Sequence, residues 1–283
     1  MASADLVTSA AAPALDLRLR GRLRACVSGS RRLVVRSGAI LAVIALWEVA
    51  PRAHLVEPAF LSPFSEVLAA GWQLIGNGQL LEHVTASLSR SLLGFCLAIA
   101  FAVPLGLAIG WYRGLARASS PLLEVLRNTA PLALLPVFVL ILGIGEASKI
   151  AFVVYSCSWP ILLNTISGVR NVDPLLIKSA RTMGLSPLPL FRKVILPASV
   201  PTVFVGIRLA GAYSLLVLVA AEMIGAKAGL GYLIIYSQYN FQIPQMYAGI
   251  VTTTVIGLLF NQGLLALERH FTPCKAPAPA GQG

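Results

Sequence analysis

Apolar residues in this chain are gathered into long blocks that contain almost no charged side chains. An α-helix needs about 20 apolar residues to cross a bilayer, so each block predicts a membrane-spanning helix. We count six predicted spans, at residues 33–50, 91–112, 129–144, 150–169, 202–224 and 247–267. The pattern also allows the second span to begin before residue 91, and it extends the third backwards through the helical segment PLLEVLRN.

Glycines and prolines lie inside several of these predicted spans. Membrane helices tolerate proline because neighbouring groups can satisfy the freed backbone atoms. Glycine allows two helix backbones to approach closely, so we expect the glycines to mark helix contacts. The glycines concerned are Gly94, Gly106, Gly110, Gly206 and Gly211.

The composition favours a membrane protein over a soluble one. Of the 283 residues, 57% are hydrophobic and 12% are charged, and the mean hydropathy is +0.80. A soluble domain has about 25% charged residues. The expected fold class is therefore all-α, a polytopic membrane protein with six transmembrane helices. The four cysteines and three histidines show no metal-ligand spacing.

Lys and Arg are divided unevenly between the predicted loops, and this division predicts the orientation. Seven arginines lie before or at the start of the first span, and five basic residues separate the fourth span from the fifth. The three loops on the other side hold only Arg52, Lys149 and Lys227. Both termini are thus expected in the cytoplasm, with the spans in the plasma (cell inner) membrane.

The same pattern divides the chain into three parts. Residues 1–32 are expected to be a disordered basic cytoplasmic extension, residues 33–270 the transmembrane domain, and residues 271–283 a disordered tail. The longest outer loop, residues 51–85, contains FSEVLAAGWQLI. This segment predicts an amphipathic helix that lies at the outer interface, with Trp72 as an anchor.

The stretch KSARTMGLSPLPLFRKVILP, at residues 178–197, is too polar to span a membrane and too patterned for a plain linker. Helical periodicity and capping signals predict two short helices there. The expected features are an apolar face at Leu176, Ala180 and Met183, a C-cap at Gly184, a second helix start at Ser186-Pro187 and an end at Pro197. The stretch could transmit a movement of a soluble partner to the membrane helices, or it could be an interfacial loop that binds anionic lipid head groups.

This loop resembles the cytoplasmic "EAA" loop of ABC importer permeases. That loop has an Ala, a Gly four residues later, and then an aliphatic residue followed by Leu-Pro. The matching residues are Ala180, Gly184, Val194, Leu196 and Pro197. The family's leading Glu-Ala is Lys178-Ser179 in this chain, which reverses the charge at the first position.

The resemblance covers roughly residues 40–270. It includes SLSRSLLGF (87–95), LRNTAPLALLPVFVLILGIGEASKI (126–150), NTISGVR (164–170), VILPASVPTVFVGIRLA (194–210) and GLGYLI (229–234). These segments are similar to the permease branch that serves nitrate, sulfonate, taurine and related anions. The implied fold is the type I (MetI-like) permease, and the implied activity is import of a small anionic solute.

The resemblance also implies partners. A second permease subunit, usually identical, two copies of an ABC ATPase, and a periplasmic or extracellular solute-binding protein would complete the transporter within the lipid membrane. ATP and Mg²⁺ would belong to the ATPase, since this chain has no G-x-x-x-x-G-K-[ST] motif. We therefore expect no cofactor in this chain, no enzymatic activity and no nucleic-acid partner.

The resemblance predicts the residues that couple to the ATPase, and polar or ionisable groups at membrane depth predict the residues of the pathway. The residues expected to couple to the ATPase are Ala180, Arg181, Gly184, Leu185, Phe191, Val194, Leu196 and Pro197. Segments 143–148 and 225–234 are the outer candidates to meet the binding protein. Polar and ionisable groups at membrane depth are pathway candidates, because burying a charge is costly. These are Arg127, Asn128, Asn164, Arg208 and Glu222, with Arg90 as a further buried ionisable group.

Each pathway candidate has a structural alternative. The ionisable groups could snorkel or form structural ion pairs, and Asn164 and Thr165 are expected to make interhelical hydrogen bonds. Arg208 and Glu222 lie about 21 Å apart along one straight helix, so they cannot pair with each other.

Two other classes of protein compete with an importer permease. A stand-alone secondary transporter or channel would be expected to show internal repeats, and the sequence shows no convincing one. An intramembrane enzyme would need a catalytic motif such as H-E-x-x-H or G-x-S-x-G, and neither occurs in the chain.

The charge distribution makes a topological prediction. A reporter fused after residue 184 should report the cytoplasm, and one fused after residue 65 should report the outside, because basic loops stay on the cytoplasmic side. Paired enzymatic fusions that are active on opposite sides of the membrane provide the measurement. The reverse pattern at either position would overturn the orientation.

Overall fold

The structure is a computed structural model that describes residues 38–39, 41–57 and 60–271, with side chains up to residue 269. All regular elements in these ranges are helices. The extension predicted at residues 1–32 and nearly all of the tail predicted at 271–283 lie outside the described residues. The chain divides into two compact units, residues 1–66 and residues 67–283.

The first unit contains helix α1, residues 41–52, and the segment that follows it. The Glu48 carboxylate accepts hydrogen bonds from the backbone N–H and the hydroxyl of Ser65, at 2.9 and 3.0 Å. Glu48 also pairs with Arg52 at 2.7 Å, one turn along α1. The Trp47 indole donates to the Ser62 carbonyl at 3.1 Å. These bonds fold the segment back onto α1.

The second unit is a set of helices joined by short connections. They are α2 (Phe64–Gly76, which begins in the first unit), α3 (Gln79–Trp111), α4 (Arg113–Asn128), a 3₁₀ turn (Pro131–Leu134), α5 (Leu135–Leu142), α6 (Glu146–Arg170), α7 (Pro174–Thr182), α8 (Pro187–Leu190), a π-turn (Phe191–Ile195), α9 (Leu196–Glu222), α10 (Leu230–Tyr239) and α11 (Ile243–Phe271). The amphipathic helix predicted around Trp72 is confirmed as α2, while its place at the interface stays a prediction.

Four helices of the described residues are long and apolar enough to cross a membrane. They are Gln79–Trp111, Glu146–Arg170, Pro187–Glu222 and Ile243–Arg269. A fifth span results if the bent pair Arg113–Asn128 and Pro131–Leu142 counts as one. The second predicted span does begin earlier than residue 91. The first predicted span starts outside the described residues, so the count of six stays a prediction.

The segment PLLEVLRN before the third predicted span is helical, as expected, but a sharp bend separates it from the residues that follow. α4 ends at Asn128, and the chain bends by 88° before it continues at Pro131. Thr129 and Ala130 are extended, with ψ of 125° and 117°. Proline disfavours the helical conformation in the residue before it, so Pro131 separates the two helices.

The centre of the second unit is formed by α3, α6 and α9, and α6 packs along both of the others. The five glycines predicted to mark helix contacts do so. A Cβ atom at Gly94, Gly106 or Gly206 would lie 2.7 Å from a side-chain atom on the facing helix. A Cβ atom at Gly110 would lie 2.7 Å from Val169 Cβ, and one at Gly211 would overlap Leu264 Cδ1. The helix backbones can therefore approach closely only because these residues have no side chain.

Gly206 gives the sharpest test of this packing. A methyl group there would lie 2.7 Å from Asn164 Cβ and 2.8 Å from the Pro160 carbonyl oxygen. Because overpacking typically costs 1–3 kcal/mol, Gly206→Ala should lower the melting temperature of the detergent-solubilised protein by roughly 5 °C. Gly257→Ala, in α11, is the control, because nothing lies within 4 Å of its Cβ position. Equal melting temperatures for the two variants would contradict the packing.

Candidate coupling loop and pathway residues

The first half of the loop between α6 and α9 is built by α7 and its caps. The Asp173 side chain accepts a hydrogen bond from the Leu175 N–H at 2.8 Å and caps the start of the helix. Gly184 has φ of +78°, and the Leu185 N–H reaches back to the Ala180 carbonyl at 3.2 Å. A glycine in the left-handed backbone conformation commonly ends an α-helix, so the predicted C-cap at Gly184 is confirmed.

The second half of the loop differs from the prediction, because Pro197 does not end a separate helix. α8, the π-turn and α9 form one continuous 36-residue helix, Pro187–Glu222. The Leu196 N–H bonds to the Phe191 carbonyl five residues back, which widens the helix immediately before the proline. Pro197 has no N–H to donate, and it follows directly on this widened turn, so the helix continues past it. Ser186 precedes α8 as predicted, but its side chain makes no capping bond.

The inner face of the loop packs against the ends of the membrane helices. Ala180, Leu190 and Ile195 are buried in a cluster that includes Val169 and Val172 at the end of α6. The rings of Trp111 (α3) and Phe191 have centroids 5.1 Å apart. The loop is therefore fixed to both α3 and α6.

The outer face of the loop carries exposed apolar side chains. The predicted shared face of Leu176, Ala180 and Met183 is divided, because Ala180 is buried while Met183 is 72% exposed. The exposed apolar residues are Leu175, Leu176, Met183 and Leu188. Among the predicted coupling residues, Ala180 is buried, Leu185, Phe191, Val194 and Leu196 are half-buried, and Arg181, Gly184 and Pro197 are exposed.

Arg127 and Asn128 end α4 and are exposed. Arg127 lines a cavity of about 320 Å³ together with Glu124 and Arg170. The Asn128 amide donates to the Glu124 carbonyl of its own helix, at 2.9 Å. Arg127 is thus a predicted pathway residue that lines an open volume.

Asn164 and Thr165 do not make the interhelical hydrogen bonds expected of them. Asn164 donates to the Pro160 carbonyl at 2.8 Å, and Thr165 to the Ile161 carbonyl at 2.7 Å, both within α6. Arg208 pairs with Glu268 of α11 at 2.9 Å, which is the structural alternative considered for it.

Glu222 lies at the end of α9 and is fully buried. Its carboxylate accepts hydrogen bonds from the Ser87 hydroxyl at 2.8 and 2.9 Å, from the Gly231 N–H at 3.0 Å and from Arg90 Nη1 at 2.7 Å. Arg90 also pairs with Glu146, with Nη2 donating to Oε1 at 2.7 Å. We call Arg90, Glu146, Glu222 and Ser87 the Arg90 cluster.

The glycines of the segment that follows α9 allow this cluster to close. A Cβ atom at Gly229 would overlap the Glu222 carboxylate, and one at Gly231 would overlap the Val219 carbonyl oxygen. Gly229 also has φ of +126°, a backbone conformation that residues with a side chain rarely adopt. The sequence singled out Arg90, Glu222 and both outer segments separately. It did not join them, because Arg90 and Glu222 are 132 positions apart.

Comparison with known proteins identifies the family. The family described as "Binding-protein-dependent transport system inner membrane component" matches residues 102–273. The chain belongs to this family of ABC importer permeases. A probable ABC transporter permease of Brucella melitensis is 38% identical over 73% of this chain and 84% of the relative. The resemblance to the nitrate, sulfonate and taurine branch is confirmed.

Two relatives illustrate that branch. The taurine transport system permease of Escherichia coli is 32% identical over 86% of this chain and 90% of its own length. The nitrate import permease of Leptolyngbya laminosa is 31% identical, over 82% and 85% of the two chains.

A solved structure supports the fold independently of the relatives. The MetNI methionine ABC transporter, in an inward-facing conformation, gives a TM-score of 0.59 at 20% identity, over 69% of this chain and 96% of the other. The fold is therefore that of the MetI-like importer permease, as predicted. Family membership makes this chain a multi-pass inner membrane permease subunit and not an enzyme, with ATP hydrolysis on a separate subunit.

The close contact at Gly229 makes a stability prediction. Gly229→Ala would place a methyl group against the buried carboxylate at a positive φ. The melting temperature in detergent should fall by about 5–10 °C, since such strain costs 1–3 kcal/mol before the overlap is added. Gly145→Ala is the matched control, because its backbone is extended, with φ of −161°, and nothing lies within 4 Å of its Cβ position. A wild-type melting temperature for Gly229→Ala would contradict the contact.

Proposed function

We propose that this chain forms the translocation pathway of an ATP-driven importer for a small anionic solute such as nitrate, an alkanesulfonate or taurine. A binding protein on the outer side would deliver the solute, and a separate ATPase would drive import through the loop at residues 178–197. The observation that carries this proposal is the exposed apolar face of a loop whose second half is continuous with α9.

The loop has the surface expected of a docking element. Its exposed leucines and Met183 stand among exposed basic residues, namely Lys178, Arg181, Arg192 and Lys193. An apolar patch with a charged rim is typical of a protein interface. The complementary partner would offer an apolar groove with acidic edges. The ATPase subunit implied by the family fills this role, and its ATP and Mg²⁺ would remain outside this chain.

The loop is also placed to transmit movement. Ala180 and Ile195 anchor its inner face, and the helix that begins at Pro187 continues to Glu222 without a break. At 1.5 Å per residue, this helix is about 54 Å long, which exceeds the thickness of the hydrocarbon core. A displacement of the loop would therefore move the whole of α9, including its far end.

Support for an anionic solute comes from the relatives and from the charge of the cavity. The similar proteins of Escherichia coli and Leptolyngbya laminosa are a taurine and a nitrate permease. Arg127 and Arg170 line the cavity of about 320 Å³, where they face Glu124. Arg127, Asn128, Asn164 and Arg208 remain the proposed pathway residues. Glu222 reaches a solute only if the Arg90 cluster opens.

The proposed assembly contains two copies of this permease, two ATPase subunits and one binding protein. Both termini of the permease would lie in the cytoplasm, as the distribution of Lys and Arg indicates. Segments 143–148 and 225–234 would face the binding protein on the outer side.

The first test is co-purification from the native host, with mass spectrometry of the proteins that accompany the permease. We expect an ATPase that carries the P-loop motif, and a binding protein whose ligand can then be screened. An ATPase-free oligomer that still moves solute in liposomes would refute the proposal in favour of a secondary transporter.

A charge in the apolar face of the loop tests the docking surface. Met183→Asp should reduce ATP-dependent uptake roughly tenfold or more, because an unpaired carboxylate would be buried against the partner, while insertion into the membrane stays normal. Met183→Leu is the matched control, since it keeps the apolar surface and should keep uptake. Normal uptake by Met183→Asp at equal expression would contradict the docking surface.

A further inference from the structure

We infer that Arg90 is a positioning residue that fixes two segments to the end of α9 opposite the coupling loop, so that movement of α9 is transmitted to the surface where solute is delivered. This inference rests on the proposed function. It assigns a role to a cluster that neither the coupling loop nor the pathway uses.

The geometry of Arg90 places it between two carboxylates from different helices. Its side chain is 7% exposed, and the Glu222 side chain on one side of it is fully buried. The Glu146 side chain on the other side is 63% exposed and lies in the first turn of α6. Arg90 therefore connects α9 to the start of α6 from its own place on α3. A guanidinium suits this task, because its planar fork can bind two carboxylates at once.

The segment after α9 is held by Arg90 and by two other side chains of α3, Ser87 and His83. Arg90 Nη1 donates to the Ala228 carbonyl at 2.6 Å, and the Leu230 N–H donates to the Ser87 hydroxyl at 2.8 Å. The Gly229 N–H donates to His83 Nδ1 at 3.2 Å. Residues 228–231 are thus fixed through their backbone to side chains of α3 and α9, so their position follows these helices.

The segment before α6 is fixed through Glu146. It includes Gly143, which has a positive φ, and Gly145, whose carbonyl accepts from the buried Lys149 ammonium at 3.0 Å. Without the pair between Arg90 and Glu146, no ion pair between side chains would tie this segment to α3 or α9 among the described residues. The position of the segment relative to α9 would then depend on chain connectivity and helix packing alone.

Charge balance gives a way to separate positioning from folding. Arg90 and Lys149 contribute two positive charges, and Glu146 and Glu222 contribute two negative charges. Glu222→Gln leaves an excess positive charge in a buried site, so it could destabilise the protein whatever the role of the cluster. The double variant Arg90→Gln, Glu222→Gln restores neutrality but does not restore the connection. A purely structural role predicts that the double variant recovers function, and a positioning role predicts that it does not.

The experiment uses the complete transporter, with its ATPase and binding protein, in lipid nanodiscs. The readout is the ratio of ATP hydrolysis with solute-loaded binding protein to hydrolysis without it. We expect the double variant to melt close to the wild type but to lose about tenfold in this ratio, as expected for a lost coupling between distant sites. Hydrogen exchange at residues 228–231 should become faster.

The matched control is the double variant Glu48→Gln, Arg52→Gln. It removes another Arg–Glu pair with 2.7 Å separation and the same charge balance, in α1. It should keep the wild-type ratio. Arg90→Lys keeps the charge but not the fork, and it should lose most of the ratio as well.

The outcomes distinguish this inference from the proposed function. A wild-type transporter that the binding protein does not stimulate would refute the proposed function itself. A stimulated wild type together with a stimulated double variant would overturn the positioning role of Arg90. If the double variant does not accumulate, Arg90→Lys decides, and a wild-type ratio for that variant would likewise overturn the role.

Discussion

Burial of the Glu222 carboxylate is the constraint on which much of this permease depends. A charge with no access to water must be paired and fully hydrogen-bonded, and removing one partner from a buried pair costs about 3–5 kcal/mol. Arg90 and the Ser87 hydroxyl, both on α3, and the Gly231 N–H of α10 meet this need from two parts of the chain. Their convergence fixes the first half of α3 against the end of α9, and the pair between Arg90 and Glu146 joins the start of α6 to the same site.

The opposite end of α9 is constrained by packing and not by charge. Ile195 and Leu190 lie in an apolar cluster with Ala180 and the end of α6, and the π-turn accommodates Pro197 without breaking the helix. One helix therefore links an apolar anchor to an ionic one. A continuous helix of this kind suits the proposed function, in which a separate ATPase drives movement of this chain.

Close packing between these two ends is made possible by glycine. The spacing of Gly94, Gly106 and Gly206 could be predicted to mark helix contacts, because a backbone approach needs small residues whatever the partner helix is. The helical cap at Gly184 was equally predictable, because a glycine at a helix end, like a glycine at a helix contact, is a local requirement of the backbone. The bend of 88° after α4 was missed, although Pro131 is a local signal for it.

Composition, periodicity and short motifs were enough to predict an all-α membrane protein and its permease family, because these are local properties of the chain. Which polar side chains pair with each other depends on the packing of the helices. Arg208 was a pathway candidate and pairs with Glu268, while Asn164 bonds within its own helix. Arg90, Glu146 and Glu222 are distant in sequence, and each could have snorkelled or paired elsewhere. Their pairing partners depend on how α3, α6 and α9 pack together, and this packing cannot be read from a single sequence.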